Sequence, residues 1–217
     1  MEEKKYIQSV ERALKILSYI ADNGEVRLNG ISEYANLKTS TTFGLLQTLE
    51  HTGYITRTNK GLDYCLGLNS LKLGLCYNTQ SVLTEKIHLL LCELVKEVDE
   101  TAYFEIKIGK RYYYYDVVLS TQPLKVVPDN DLFIDLPDNS AVSKVFSHYS
   151  EGIRYETDLE EVDKGLNCFA VPFKSGDTLV GCIALTGPSN RFTKETMEST
   201  YQIYLDIMRK LDFENHV

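Results

Sequence analysis

Residues 28–66 read LNGISEYANLKTSTTFGLLQTLEHTGYITRTNKGLDYCL, and the order of signals in this stretch decides the fold. A short helix fits Asn29 to Ala35, with Asn29 as its cap. Asn36 then falls where the chain must turn, and asparagine tolerates the left-handed conformation better than most residues. A second helix fits Ser40 to His51, with Leu45, Leu46 and Leu49 as its core stripe, Thr42 one turn earlier, and Gly53 closing it. Tyr54–Arg57 and Leu62–Leu66 read as short strands around the turn Thr58-Asn59-Lys60-Gly61. Upstream, Val10, Ala13, Leu14, Ile16, Leu17 and Ile20 recur at helical spacing between Gln8 and Asn23, with Ser9 as a candidate N-cap and Asn23-Gly24 as a stop. Helix, short helix, turn, helix, hairpin is the order of a winged helix-turn-helix.

Such a motif places the amino end of its second helix in the major groove of DNA. Here that end reads Lys38-Thr39-Ser40-Thr41-Thr42. Small hydroxyls can donate to phosphate oxygens and to base edges, and the free N–H groups of a helix start attract phosphate. Positions 41, 44, 48 and 51 fall opposite the leucine stripe, with 40, 43 and 47 beside them, so Thr41, Gln47 and Thr48 are the base-contact candidates. Arg57 and Lys60 on the hairpin suit flanking phosphates. Gly44 in mid-helix costs roughly 1 kcal/mol against alanine, which close approach to DNA could offset. The competing account is a helix cap and a solvated hairpin, and these residues alone do not decide between the two.

A chain of 217 residues makes one large domain or two modest ones, and 43% hydrophobic with 25% charged residues argues against disorder. No apolar run is long enough to span a membrane, LLLCELV at 89–95 being too short, and MEEKKYIQSVERALK lacks a secretory layout. Cytoplasmic residence is expected, with no membrane partner. The net charge of −8 is unevenly divided: residues 1–75 carry +1 and residues 76–217 carry −9. A DNA reader needs only a local basic stripe, so a near-neutral first part is permissive. Cys65, Cys76, Cys92, Cys168 and Cys182 are scattered and never form CxxC, so buried reduced thiols are expected rather than zinc or disulfides. With no phosphate loop and no Ser-His-Asp order, neither enzymatic activity nor a cofactor is expected.

Beyond Gly67, LNSLKLGLCYNTQ reads as a linker helix and VLTEKIHLLLCELVKEV as a longer helix with a wide apolar stripe. AYFEIKIG and RYYYYDVVL are strand-like around Gly109-Lys110, and the Tyr112–Tyr115 run should send side chains to both faces. Residues 120–138 read mainly as loop. A helix fits Asn139–His148, LNCFAVPFK and LVGCIALTG fit paired strands, and a last helix starts at Thr193. The acidic segment from Glu156 to Asp163 reads as a solvated turn.

Several of these stretches together resemble the IclR family of transcription regulators over nearly the whole chain. YIQSVERALK onward to Ile55 is similar to that family's DNA-binding domain, and YCLGLNSLKLG matches its Y-x-L-G-x-x-x-x-x-L-G signature through Tyr64, Leu66, Gly67, Leu73 and Gly74. LPDNSAVSKVF resembles L-P-x-x-x-A-x-G-K-A, keeping Leu136, Pro137, Ala141 and Lys144. YETDLEEVDKGLNCFAVPF resembles D-x-E-E-x-x-x-G-x-x-C-x-A-x-P, and LVGCIALTGPSNRFT resembles V-V-G-A-I-S-V-S-G-P-x-x-R-F-T. The resemblance implies an α+β chain: a winged helix-turn-helix over 1–68, a linker helix over 69–80, and a GAF-like antiparallel-sheet α/β effector domain over 81–217. It also implies homodimers or dimers of dimers on a pseudo-palindromic double-stranded operator. A small organic effector, often a carboxylate or aromatic metabolite, would then be lined by Ala141, Val142, Asp158, Leu166, Cys168, Ala184 and Thr186.

Departures from the family pattern bear on both sites. Gly44 stands where the recognition helix usually has an arginine, Ser143 replaces the glycine before Lys144, and Ala184 replaces a serine. Only residues 145–157 separate Lys144 from Asp158, where the family usually has a much longer helical insertion. Three readings follow: a ligand-responsive regulator, a regulator whose degenerate sensor half binds DNA constitutively or answers to a protein partner, and an enzyme or small-molecule binder with a helix-turn-helix-like end.

Overall fold

The computed structural model describes residues 6–58, 61–80, 82–128 and 133–213. The chain forms two compact units, Met1–Ser81 and Val82–Val217.

The first unit runs α1 (Gln8–Asn23), β1 (Val26–Arg27), α2 (Leu28–Tyr34), α3 (Thr39–His51), β2 (Ile55–Arg57), β3 (Asp63–Leu66) and α4 (Leu68–Gln80). The helix-turn-helix and hairpin stand where the sequence placed them. Their caps differ, because Ile7, Arg27 and Lys38 take the extended cap conformation and no side chain caps α1, α2 or α3. Ser9 and Asn29 lie inside helices instead. Asn36 does adopt the left-handed conformation, at φ 50°. The two-residue β1 was not anticipated, being too short to leave a periodic pattern. It pairs with β3 through Val26↔Tyr64 and Arg27↔Asp63, giving the sheet order β1-β3-β2.

Ile16, Ile20, Ile31, Leu46, Leu49, Ile55 and Tyr64 form the core of this unit. The apolar stripe expected on α1 is only partly used: Val10 and Leu14 are 53% and 59% exposed. A core of this size covers one edge of the stripe and leaves the other in solvent. The start of α4 is tied to the end of α3. Gly67 donates its N–H to the Tyr54 carbonyl at 2.8 Å, the Ser70 hydroxyl donates to the same oxygen at 2.8 Å, and the Asn69 amide donates to the Thr52 carbonyl at 2.7 Å. The backbones pass so closely that a Cβ on Gly67 would overlap the Gly53 carbonyl group.

The second unit runs α5 (Val82–Val98), β4 (Thr101–Ile108), β5 (Arg111–Val118), β6 (Phe133–Ile134), α6 (Ala141–His148), β7 (Glu156–Leu159), β8 (Leu166–Ser175), β9 (Thr178–Pro188) and α7 (Lys194–Lys210). Its strands make one antiparallel sheet in the order β6-β5-β4-β9-β8-β7. On one face α5 and α7 cover Phe104, Phe169, Ile183 and Leu185 with Leu90, Leu94, Tyr204 and Met208. On the other, Ala141, Val142 and Val145 of α6 pack with Tyr103, Tyr112, Ala170, Cys182 and Ala184. The tyrosine run divides between these layers. Tyr112 and Tyr114 join the α6 side, and Tyr115 packs on the side of α5 and α7. α6 begins two residues later than expected, where the Ser140 hydroxyl accepts the Ser143 N–H. The acidic segment is not only a turn, because Glu156–Leu159 is an edge strand paired to β8 through Asp158↔Cys168. Of the five cysteines only Cys182 is fully buried.

Gly67→Ala should destabilise the first unit by about 2 kcal/mol, the scale of overpacking against rigid backbone. A melting temperature within one degree of the parent would contradict this packing.

Candidate nucleic-acid interface and effector cavity

α3 lays two faces in opposite directions. Thr42, Leu46 and Leu49 are buried, while Ser40, Thr41, Gly44, Gln47, Thr48 and His51 are exposed. This corrects one member of the DNA-contacting set. Thr42 is 0% exposed and its hydroxyl donates to the Lys38 carbonyl at 3.3 Å, so its side chain belongs to the core stripe beneath Thr41. Lys38, Thr39, Ser40, Thr41, Gln47 and Thr48 are open to solvent. Thr48 returns its hydroxyl to the Gly44 carbonyl at 3.0 Å. A Cβ on Gly44 would meet nothing within 4 Å, so no contact inside the fold calls for glycine there. On β2, Arg57 donates to the Glu50 carboxylate at 3.2 Å and lies 5.0 Å over the Tyr64 ring. An exposed pair of this kind costs little to exchange for a phosphate. Lys60 lies outside the described residues.

The second unit holds a cavity of about 260 Å³ between the sheet, α6 and the loop after β5. Val142, Asp158, Leu166, Cys168 and Thr186 line it, as do Tyr103, Glu105, Tyr114, Leu136, Ser140 and Asn167. Ala141 and Ala184 do not. Both are 0% exposed and packed in the cluster between α6 and the sheet, where a side chain no longer than a methyl group reaches no opening. A larger groove of about 810 Å³ lies on the first unit, but its described lining is mostly leucine, glycine and small polar residues, with Glu50 the only charged side chain among them. Convergent polar chemistry therefore favours the smaller cavity as the ligand site.

Glu105 was missed in the sequence, where it looks like one polar residue in an alternating strand. It is 3% exposed, its Oε2 has no hydrogen-bond partner, and burial pushes its carboxyl up to about 8. Asp158 is raised by burial as well, against the opposing effect of the Glu161 and Val162 N–H groups that donate to its Oδ1 at 2.7 and 3.3 Å. Burial raises the Cys168 thiol to about 12, so it is not a thiolate nucleophile, although the Thr186 hydroxyl donates to its sulfur at 3.2 Å. Tyr103 and Tyr114 place their rings 5.2 Å apart in the wall. Among the described residues, no group of three or more His, Cys, Asp or Glu side chains is placed to hold a metal, and no helix is long and apolar enough to cross a membrane.

The raised Glu105 carboxyl has a consequence for stability. Below its unfolded value near 4.5 both states are protonated. Between there and about 8 only the unfolded chain ionises, so folding loses stability as pH rises, by up to about 1.4 kcal/mol per pH unit. Glu105→Gln should remove this loss. Its melting temperature should exceed the parent's by a margin that grows from about pH 5 to about pH 8, and a margin constant with pH would refute the assignment.

The family model of the IclR helix-turn-helix domain matches residues 9–59. The Escherichia coli (strain K12) transcriptional repressor IclR is 31% identical over 96 residues, which cover 44% of this chain and 35% of that protein. The aligned part thus spans about a third of that relative. Over nearly the whole length the Glycerol operon regulatory protein of Streptomyces coelicolor is 27% identical, covering 87% of this chain and 88% of that protein, and the likeness of fold is as extensive. An IclR family transcriptional regulator from Brucella abortus superposes with a TM-score of 0.58 at 16% identity, covering 97% of this chain and 93% of that one. An IclR homolog from Microbacterium hydrocarbonoxydans, complexed with 4-hydroxybenzoate, gives 0.50 at 13% identity over 95% of this chain and 100% of its own. At such identities the superpositions speak to fold. The chain thus carries a helix-turn-helix domain of the IclR type over residues 9–59, and its fold as a whole is similar to that of IclR-family regulators.

Proposed function

We propose that the protein is a sequence-specific DNA-binding transcription regulator that acts without enzymatic chemistry in the cytoplasm and is controlled by a small organic ligand. The observation that carries the DNA-binding half is the uncapped, hydroxyl-rich start of α3, with Thr41, Gln47 and Thr48 exposed on the face opposite Leu46 and Leu49. A helix start without a side-chain cap keeps first-turn N–H groups available to phosphate, and the adjoining hydroxyls and amide can address base edges. Homodimers on a pseudo-palindromic operator fit the apolar surface of the first unit. Val10 and Leu14 of α1, and Leu71, Leu73 and Leu75 of α4, are all more than half exposed, more than a monomer usually leaves in one small unit.

Ligand control is favoured over a degenerate sensor by the open cavity, which keeps five of the seven side chains the resemblance implies and is not filled by the protein's own residues. A ligand bound there by Asp158, Cys168 and Thr186 would change operator affinity through its different affinity for two conformations of the dimer. Selection of genomic fragments by the purified protein tests the reading as a whole. Recovery of one promoter-like sequence, with binding that weakens steeply as salt rises, is the expected result. Retention of DNA without sequence preference would refute it.

Thr41→Ala and Gln47→Ala should each weaken operator binding by about 1–3 kcal/mol, as measured by titration of labelled operator, with melting temperatures close to the parent's. A melting drop of several degrees would make these side chains structural. Gly44→Ala should stabilise the first unit by about 1 kcal/mol and weaken operator binding if the helix seats closely on DNA. Unchanged affinity for this variant would exclude close seating at Gly44.

A further inference from the structure

We infer that the cavity of the second unit takes a small organic cation, an ammonium-bearing ligand, in preference to a carboxylate. The inference rests on the ligand-sensing half of the function proposed above and names the chemistry of that ligand.

The charge of the lining is one-sided. Glu105 and Asp158 line the cavity from within, Asp163 stands at its exposed rim, and none of the described lining residues is Lys, Arg or His. Nearby cations are committed to other partners. Lys144 Nζ donates to the Thr157 carbonyl at 2.9 Å and to both carboxylate oxygens of Glu161 at 2.8 Å. Lys125 Nζ donates to the Ser120 carbonyl at 2.9 Å, and Arg191 is held by Glu100 at 2.5 and 2.9 Å. A carboxylate ligand would find no cationic side chain in the described lining to serve as its counterion, and its desolvation would go uncompensated.

An ammonium group meets the opposite situation. Glu105 Oε2 is buried and lacks a donor, and a buried acceptor in that state costs free energy until something supplies one. An ammonium supplies both the hydrogen-bond donor and the counter-charge, and its arrival favours the ionised carboxylate. Tyr103 and Tyr114 add aromatic side chains to the same wall, a residue type that attracts a cation rather than an anion. At interior packing density a 260 Å³ cavity holds a ligand of roughly ten non-hydrogen atoms. An aromatic or short aliphatic amine fits those limits.

The test is isothermal titration calorimetry of the full-length protein with probes matched in shape and opposite in charge: tyramine against 4-hydroxyphenylacetate, and butylamine against butanoate. We expect at least one amine to bind at least about tenfold tighter than its carboxylate counterpart, a difference of about 1.4 kcal/mol. Glu105→Gln, which keeps the shape and removes the charge, should abolish that preference. Tighter binding of the carboxylates, or an amine preference that survives Glu105→Gln, would overturn the inference and leave the ligand-sensing reading standing. Binding of no probe of either charge would overturn both, while the DNA-binding reading would still be judged by fragment selection. If Glu105→Gln does not fold, tyramine affinity of the native protein replaces it and should rise several-fold from about pH 6 to about pH 8 as the carboxyl ionises. The other groups facing Glu105 are Tyr103 on β4, Tyr114 on β5, Asp158 on β7, Cys168 on β8 and Cys182 on β9; burial raises Tyr103 and both thiols beyond that window, and Asp158 is raised as well. An affinity that is flat or falls across that window would overturn the inference.

Discussion

The middle strands of the second unit, β4 and β9, are covered on both faces, and this burial governs everything built around them. A strand in that position has no solvent side on which to place a charged residue, so a carboxyl on it is tolerated only where the packing opens. Glu105 sits at such an opening. The rest of the α6 side is closed by small side chains, Ala141, Ala170, Cys182 and Ala184, which let the helix settle directly on the sheet. The cavity is therefore what remains where α6 ends its contact and the loop after β5 takes over as the wall.

That loop is held by an ion pair that also explains one of the chain's sequence signatures. The Glu100 carboxylate is buried and accepts from Nε and Nη2 of Arg191, and Nη2 also donates to the Leu124 carbonyl at 2.7 Å. Thr101 donates to the Val126 carbonyl at 2.7 Å, and Asp99, in the left-handed conformation, accepts from Thr121 and Gln122. A side chain at Gly187 would collide with the Glu100 carboxylate, so glycine there is required by close approach rather than by a turn. Gly187 and Arg191 of the motif thus serve one purpose, which is to seat Glu100, and Arg191 and Thr101 tie down Leu124 and Val126 of the loop beside the cavity.

In the first unit the comparable constraint is smallness. A core of seven residues is enough to fix three helices and a hairpin, and it leaves much of the apolar surface of α1 and α4 in solvent. The same economy divides α3 into a buried stripe and an exposed face one residue apart. Thr41 and Thr42 are chemically equivalent neighbours, and a turn of about 100° sends one outward and the other into the core.

Helical periodicity, turn residues and strand alternation located nearly every element in the sequence, because those signals are local and short-ranged: α1, α5 and the β8–β9 hairpin fall within two residues of their expected limits. The exposed face of α3 was legible for the same reason, since a regular helix converts spacing directly into direction. Thr42 shows where that reasoning runs out, as its place in the leucine stripe competed with its place in a run of hydroxyls and burial settled the matter. What only the tertiary structure decided were contacts between residues far apart in the chain. β4 pairs with β9 some eighty residues later, Glu100 meets Arg191, and Glu105 reaches a cavity whose other walls come from β5, β7, β8, β9, α6 and the loops beside them. No local pattern encodes such meetings, because they depend on which strands become neighbours when both faces of the sheet are buried at once.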